Sequence, residues 1–252
     1  MSVPLDDHIV AASIATQAGR LLLTLRSQFA GDSERLKAEG DRQSHLFIVD
    51  QLSALRPSDG LLSEEAPADP ARLTFPRVWI IDPLDGTREY GERDREDWAV
   101  HVALVEHGFP VAGAVALPAL GETMHTGPGG LRAPSRSALN RRARVLVSRT
   151  RPTALAGAIA DALSGTLLPM GSAGAKAMAV VRGEAEVYAH SGGQYEWDSA
   201  APVAVATAAG LHVSRLDGSA LTYNADNPWL PDLLICRPEF AAAVISVAQG
   251  NT

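Results

Sequence analysis

The chain has little that would force an unusual architecture. One of its 252 residues is cysteine, so no disulfide can close within it and a framework of bridges is excluded. That residue, Cys236, follows the apolar run Leu233-Leu234-Ile235 and reads as a buried core thiol rather than a nucleophile. Basic residues are outnumbered, 22 Lys and Arg against 29 Asp and Glu, for a formal charge of −7. Without a basic stripe to neutralise phosphates, nucleic acid is not the expected partner. No stretch of about 18 apolar residues occurs, and the N-terminus lacks a basic region followed by an apolar signal core. The expectation is a soluble cytoplasmic protein with no membrane partner. Fixed-period repeats and low-complexity segments are also missing.

What is present is ordinary globular composition, 46% hydrophobic and 20% charged. The length allows one large domain or two small ones, with a core that needs no disulfide or structural metal. The negative charge does not exclude small anionic substrates, because a bound cation can reverse the local field.

Residues 6–29 place Val10, Ile14, Ala18, Leu21, Leu22, Leu25 and Phe29 at helical spacing, and residues 41–56 repeat the pattern. Arg56-Pro57-Ser58-Asp59-Gly60 stops that second helix. Val78–Ile81 reads as a strand ending at Asp82-Pro83, and residues 98–105 and 111–117 read as a hairpin turning at Glu106-His107-Gly108. Residues 121–142 look like a surface linker. Beyond it, strands at 144–148, 166–169 and 186–189 alternate with helices near 152–163, 173–182 and 199–209, the rhythm of an α/β half. The division falls near residue 140, into halves 1–140 and 141–252.

Asp82-Pro83-Leu84-Asp85-Gly86-Thr87 is the densest local signal. Pro83 holds Asp82 extended and Gly86 permits a tight turn, so both carboxylates can be aimed into one small volume. The amides of Gly86 and Thr87 could then receive a phosphate. By itself the segment reads equally well as a polar turn with Asp85 as a helix cap. Glu64-Glu65 follows the apolar pair Leu61-Leu62, and Asp198 in Trp197-Asp198 opens a helix. An acidic surface loop and an N-cap are the plain readings of those two.

Taken together, the acidic pair, Asp-Pro-Leu-Asp-Gly-Thr and Trp-Asp before an Ala-rich helix resemble the Mg²⁺-dependent, lithium-sensitive phosphatases related to inositol monophosphatase and fructose-1,6-bisphosphatase. The likeness extends over nearly the whole chain. It implies a layered αβαβα sandwich, α+β in its first half and α/β in its second, and often a homodimer. It also implies that Glu64, Asp82 and the Leu84 carbonyl hold one Mg²⁺, and that Asp82, Asp85 and Asp198 hold a second. A third, weaker site near Glu64 occurs in relatives, with Glu65 a neighbour rather than a ligand. Asp41 and Thr87 match the residues that orient the attacking water. Asp41 lies 23 residues before Glu64, and its plain reading is the N-cap of the second helix. Relatives carry a longer loop before this position, where Lys37-Ala38-Glu39-Gly40 stands here. No histidine is implicated, and all are left as structural.

Substrate expectations rest on further resemblance. Arg88-Glu89-Tyr90 is similar to the motif's continuation in nucleotidases that remove the 3′-phosphate of 3′-phosphoadenosine 5′-phosphate, enzymes of sulfate assimilation. Ser148-Arg149 and the stretch Gly171-Ser172-Ala173-Gly174-Ala175-Lys176 resemble segments that contact the nucleotide. A ligand with two phosphates would place one at the metals with Asp85, Gly86 and Thr87 and the other near Arg149 and Lys176. Ser191 stands where inositol-specific relatives tend to have a glutamate. The implied partner is therefore a small phosphorylated metabolite. The 5′-phosphosulfate analogue of the nucleotide is a second expected substrate; inositol 1-phosphate and fructose 1,6-bisphosphate are alternatives, and a silent regulatory protein that binds metal and phosphoanion is a remote one.

Overall fold

A computed structural model describes residues 6–29, 31–131 and 142–250. Two long helices come first, α1 (Asp7–Gln28) and α2 (Ser33–Leu55). Aspartates begin both: Asp6 accepts from the His8 amide and Asp32 from the Arg35 amide, satisfying donors that have no partner within the helix. A five-stranded sheet follows in the order β1-β2-β3-β4-β5. Its strands are β1 (Gly60–Ser63), β2 (Arg77–Asp85), β3 (Ala99–Glu106), β4 (Phe109–Leu117) and β5 (Glu122–His125). β1 and β2 are parallel and the other pairs antiparallel. The short helix α3 (Thr87–Gly91) lies between β2 and β3.

The second half supplies another five-stranded sheet, in the order β7-β6-β8-β10-β9. It is built from β6 (Arg144–Ser148), β7 (Thr166–Met170), β8 (Val187–Tyr195), β9 (His212–Ser214) and β10 (Trp229–Cys236). Its helices are α4 (Ala154–Ala162), α5 (Ala173–Val181), α6 (Glu196–Ala208) and α7 (Ala241–Gly250).

Strand alternation explains the layering. Trp79 and Ile81 of β2, with Val100, Val102 and Leu104 of β3, share a core with Val10, Ile14, Leu22 and Ile48 of α1 and α2. The intervening residues Val78, Ile80, Ala103 and Val105 face the opposite way. They join α5 and α6, and also Leu233 and Ile235 of the second sheet, in a core common to both halves. Leu234 and Cys236 on the other face of β10 pack with α4 and α7. Each sheet is therefore covered on both faces, and its period-2 pattern feeds two apolar layers. The result is the five-layer αβαβα sandwich. Cys236 is fully buried, as its apolar neighbours suggest.

Several boundaries move. α2 starts at Ser33 rather than residue 41, so Lys37–Gly40 is helix and not loop. A Cβ on Gly40 would lie 2.7 Å from the Tyr90 ring and 3.0 Å from Leu84. Glycine is needed for α2 to approach the acidic motif, and Asp41 stands in the helix interior instead of capping it. The expected linker contains β5, paired with β4, while residues 132–141 lie outside the described ones. β2 continues through Asp85, with an irregularity in its pairing to β3 between Asp82 and Asp85. At the β3–β4 hairpin His107 (φ 51°) and Gly108 (φ 84°) both take the left-handed conformation that matches strand twist in a two-residue turn. α1 is the one described helix with the length and hydropathy to cross a membrane, but its Val10, Ile14, Ala18, Leu22 and Leu25 are buried against the first sheet and α2.

Candidate active site

Three carboxylates meet where the halves join. Oxygens of Asp82, Asp85 and Asp198 lie within 4.8 Å of one another. The irregularity in β2 brings Asp82 and Asp85 to the same side, although a regular strand would point residues three apart to opposite faces. Gly86, at φ 87°, turns the chain out of the strand into α3. Asp198 arrives from the first turn of α6, where its carboxylate accepts from the Tyr195 amide at 2.6 Å. It is thus a third-position capping-box residue rather than the N-cap itself.

The two β2 aspartates are held differently. Asp85 sits at the N-terminus of α5, accepting from the Ala173 amide (3.1 Å), the Gly174 amide (2.6 Å) and the Ser172 hydroxyl. Burial pushes its pKa up, but His101, Ser172 and Gly174 outweigh that and bring it down to about 2. Asp82 accepts from the Leu84 amide at 3.0 Å. Burial, then the charges of Glu64, Asp85 and Asp198, hold its pKa well above the usual carboxylate range. Asp198 is raised to about 6 by burial and by Asp85. Glu64 follows β1 in a turn at the site's edge. Its residue as a whole is exposed, yet its carboxyl reaches Asp82, and burial and the neighbouring acids raise it to about 7. Glu64 is not among the three oxygens that converge most closely.

Thr87 and Asp41 also meet. The Thr87 hydroxyl is 3.3 Å from Asp41 Oδ1 and 3.1 Å from the Leu84 carbonyl. Burial and Glu65 raise Asp41 to about 7, against the pull of Thr87. Ser44, one helical turn after Asp41, donates to the Pro83 carbonyl at 2.7 Å and fixes the motif backbone to α2.

The histidines require a correction. His101 is fully buried in the acid cluster. Its Nε2 is 3.2 Å from Asp85 Oδ2, and its Nδ1 is 3.9 Å from Asp82 Oδ2 and 3.0 Å from the Trp197 carbonyl. Nδ1 meets the carbonyl, while Nε2 faces the Asp85 carboxylate at ion-pair distance without a formed hydrogen bond, so the charge of Asp85 is what favours the imidazolium. Burial disfavours that charge, and Asp85 more than restores it, so the His101 pKa is raised. Register is the signal that could have found it. On β3, residues 99, 101, 103 and 105 share the face turned toward α5 and α6, and His101 pairs with Asp82. A Cβ on Gly174 would lie 2.1 Å from His101 Nε2, so glycine is required where α5 meets β3.

Beyond the acids opens a cavity of about 440 Å³, lined by Gly86, Thr87, Ser148, Arg149, Gly171, Ser172 and Lys176 among others. Ser148, Arg149, Gly171, Ser172 and Lys176 are brought together as the sequence suggested, but several are already engaged. The Ser172 hydroxyl bonds Asp85, and its φ of 49° is a strained left-handed value in a non-glycine residue. Arg149 pairs with Glu89 (2.8 Å) and Glu92 (2.7 Å). Buried Lys176 donates to the Gly171 (3.2 Å) and Ser172 (2.6 Å) carbonyls, and desolvation lowers its pKa. Sequence reasoning missed Arg151, His190, Tyr195 and Trp229, which line the same cavity.

An all-oxygen donor set in a small, mostly buried volume suits a hard divalent cation. Comparison with known proteins agrees with this geometry. The pattern of the inositol monophosphatase family, a metal-dependent family, matches residues 7–249. The chain is 45% identical to a 3′-phosphoadenosine 5′-phosphate phosphatase of Mycobacterium leprae, across 97% of this chain and 94% of that protein. It is 33% identical to the 3′(2′),5′-bisphosphate nucleotidase CysQ of Escherichia coli K12, across 75% and 80%. The crystal structure of CysQ from Bacteroides thetaiotaomicron superposes with a TM-score of 0.76 at 26% identity, covering 92% of this chain and 97% of that one. The chain belongs to the inositol monophosphatase family.

Proposed function

We propose that the protein is a Mg²⁺-dependent phosphomonoesterase that removes the 3′-phosphate of 3′-phosphoadenosine 5′-phosphate. The carrying observation is the convergence of Asp82, Asp85 and Asp198 from both halves onto one point beside a cavity of nucleotide size. A phosphomonoester dianion would be repelled by such a cluster without metal. Glu64, Asp82 and the Leu84 carbonyl would hold one Mg²⁺; Asp82, Asp85 and Asp198 would hold a second, and a third would bind weakly near Glu64. Bound Mg²⁺ supplies charge neutralisation, polarisation of the phosphoryl group and a water of lowered pKa.

The chain's own groups do the positioning. Asp41 and Thr87, in contact across α2 and α3, orient the attacking water in line with phosphorus. The Asp85 carboxylate is kept ionised by the α5 amides and His101. The strongly raised Asp82 gives up its proton when a cation takes its place.

The names of the relatives support the nucleotide among phosphomonoesters. So does the cavity rim, where Tyr195 and Trp229 are 46% and 47% exposed, a flat apolar surface that suits a purine. Ser148 and Arg149 belong to the nucleotide side of this cavity, as do Gly171, Ser172 and Lys176. The reading includes lithium sensitivity, a cytoplasmic enzyme in sulfate assimilation and a homodimer. Steady-state phosphate release from 3′-phosphoadenosine 5′-phosphate, inositol 1-phosphate and fructose 1,6-bisphosphate tests it. The nucleotide is expected to lead in kcat/KM by orders of magnitude. A sugar or inositol phosphate in the lead would overturn the substrate and keep the metal chemistry.

A further inference from the structure

Two arginines stand two residues apart at the end of β6, and their surroundings differ. Arg149 is committed. Glu89, only 6% exposed, needs a cation, and Arg149 meets it and Glu92 together. Gly171 makes the room, since a Cβ there would lie 2.3 Å from the Glu89 carboxyl carbon. Both carboxylates are met through Nη2 of Arg149 while its Nε is buried without a partner, so what weakens its pull on a phosphate is the positive charge that two carboxylates already neutralise.

Arg151 is different. Its amide donates to the Ser148 hydroxyl at 3.2 Å, which holds the loop. Among the described residues no carboxylate pairs with its guanidinium. It lines the main cavity and also an adjoining recess of about 270 Å³, shared with Ser148, Lys176, Tyr188 and His190. Among the described residues, no carboxylate lines that recess. The His190 ring already bonds the Gly193 carbonyl at 2.9 Å. Burial first, and then the nearby positive charge of Lys176 and Arg151, keep its pKa low. The recess is thus a positively charged space that opens off the acidic floor.

We infer that Arg151, rather than Arg149, binds the second phosphate of the substrate, in the recess beside Ser148 and Lys176, and that Arg149 is a structural counter-ion to Glu89. This deepens the nucleotide reading and rests on it for the substrate's identity. A ligand phosphate there meets an unpaired guanidinium, which can grip two oxygens at once.

The test compares 3′-phosphoadenosine 5′-phosphate with adenosine 3′-monophosphate, which differ only in that phosphate. It also measures calorimetric binding of adenosine 5′-monophosphate, which carries only that phosphate. In R151A the ratio of kcat/KM for the two substrates falls by roughly tenfold to a hundredfold, and the 5′-monophosphate affinity falls similarly, as expected for a lost charged hydrogen bond. R151K recovers part of the loss. R149A lowers kcat/KM for both substrates together, leaving their ratio as in the wild type, and lowers the melting temperature. Arg151 is exposed, so R151A melts like the wild type. A ratio untouched by R151A, or one that collapses in R149A, overturns the inference. Turnover of the bisphosphate with an R151A-insensitive ratio sinks the inference alone. Arg151-dependent binding without turnover of either nucleotide sinks the proposed function alone.

Discussion

The floor and the rim of the cavity are built on opposite principles. The floor takes Asp82 and Asp85 from β2, Glu64 from the turn after β1 and Asp198 from α6, and burial first, then the neighbouring acids, push Asp82, Glu64 and Asp198 toward protonation. The cations of the rim come from the second half, and there Glu89 and Glu92 of the first half already neutralise Arg149 while backbone carbonyls engage Lys176. The floor is therefore a frustrated structure that a cation relieves, and the rim a largely settled one with a few groups to spare. Frustration marks the chemistry, and the spare groups mark the ligand. Within the floor the same contrast recurs: Asp85, held by two amides, a hydroxyl and His101, drops to about 2, while Asp82, three residues earlier, goes the other way.

Changes to the floor should strike every substrate alike. The largest expected effect is Asp82→Asn. Loss of the carboxylate proposed to bridge the two metals should lower kcat/KM by about 10³-fold or more for nucleotide and sugar phosphates together, on the order of 4 kcal/mol of transition-state stabilisation. A loss confined to one substrate class would place Asp82 in recognition. Thr87→Ala should cost about 10²-fold in kcat with KM nearly unchanged, since the hydroxyl touches Asp41 and the Leu84 carbonyl. A rise in KM alone would make it a binding group.

Gly174→Ala tests the seam between floor and rim. Its Cβ would collide with His101, and overpacking of this kind costs about 1–3 kcal/mol. A drop of roughly 2–10 °C in melting temperature is expected, together with weaker metal binding as Asp85 loses its alignment. An unchanged melt would mean that His101 moves freely.

The smallest effect concerns pH. Asp41 and Glu64 sit at about 7 and Asp198 at about 6 in the folded chain, all above their ordinary values of 3.8, 4.5 and 3.8. Groups raised on folding stabilise the protein below their unfolded pKa, and that contribution is lost as pH climbs through the folded values. Asp85, depressed to about 2, acts oppositely and only below about pH 4. Metal-free protein should therefore lose stability between about pH 4 and 7, and Mg²⁺ should raise its melting temperature more at pH 8 than at pH 5. Equal shifts at both pH values would show that the floor is not strained.

Much of this contrast was legible in the residues. Asp82-Pro83-Leu84-Asp85-Gly86-Thr87 is contiguous, so one short segment carried most of the floor, and α1 and the first hairpin followed from apolar periodicity. The start of α2 was hidden because Gly40 serves a close tertiary approach that local propensity cannot express. β5 was hidden because its four residues carry little pattern. His101 was masked by its apolar strand, since only the pairing with β2 places it against Asp82. Arg149 and Arg151 look alike in sequence. What separates them is Glu89, 60 residues away from Arg149 in the chain and 2.8 Å away in space.

The central claim is that the acidic floor works only with a divalent cation upon it. Chelator-treated protein, assayed with 3′-phosphoadenosine 5′-phosphate before and after Mg²⁺ is restored, tests this most directly. The account predicts no phosphate release without metal, recovery on adding Mg²⁺, and the loss of about 10³-fold or more in Asp82→Asn persisting at every Mg²⁺ concentration. Undiminished turnover in the chelator would contradict it.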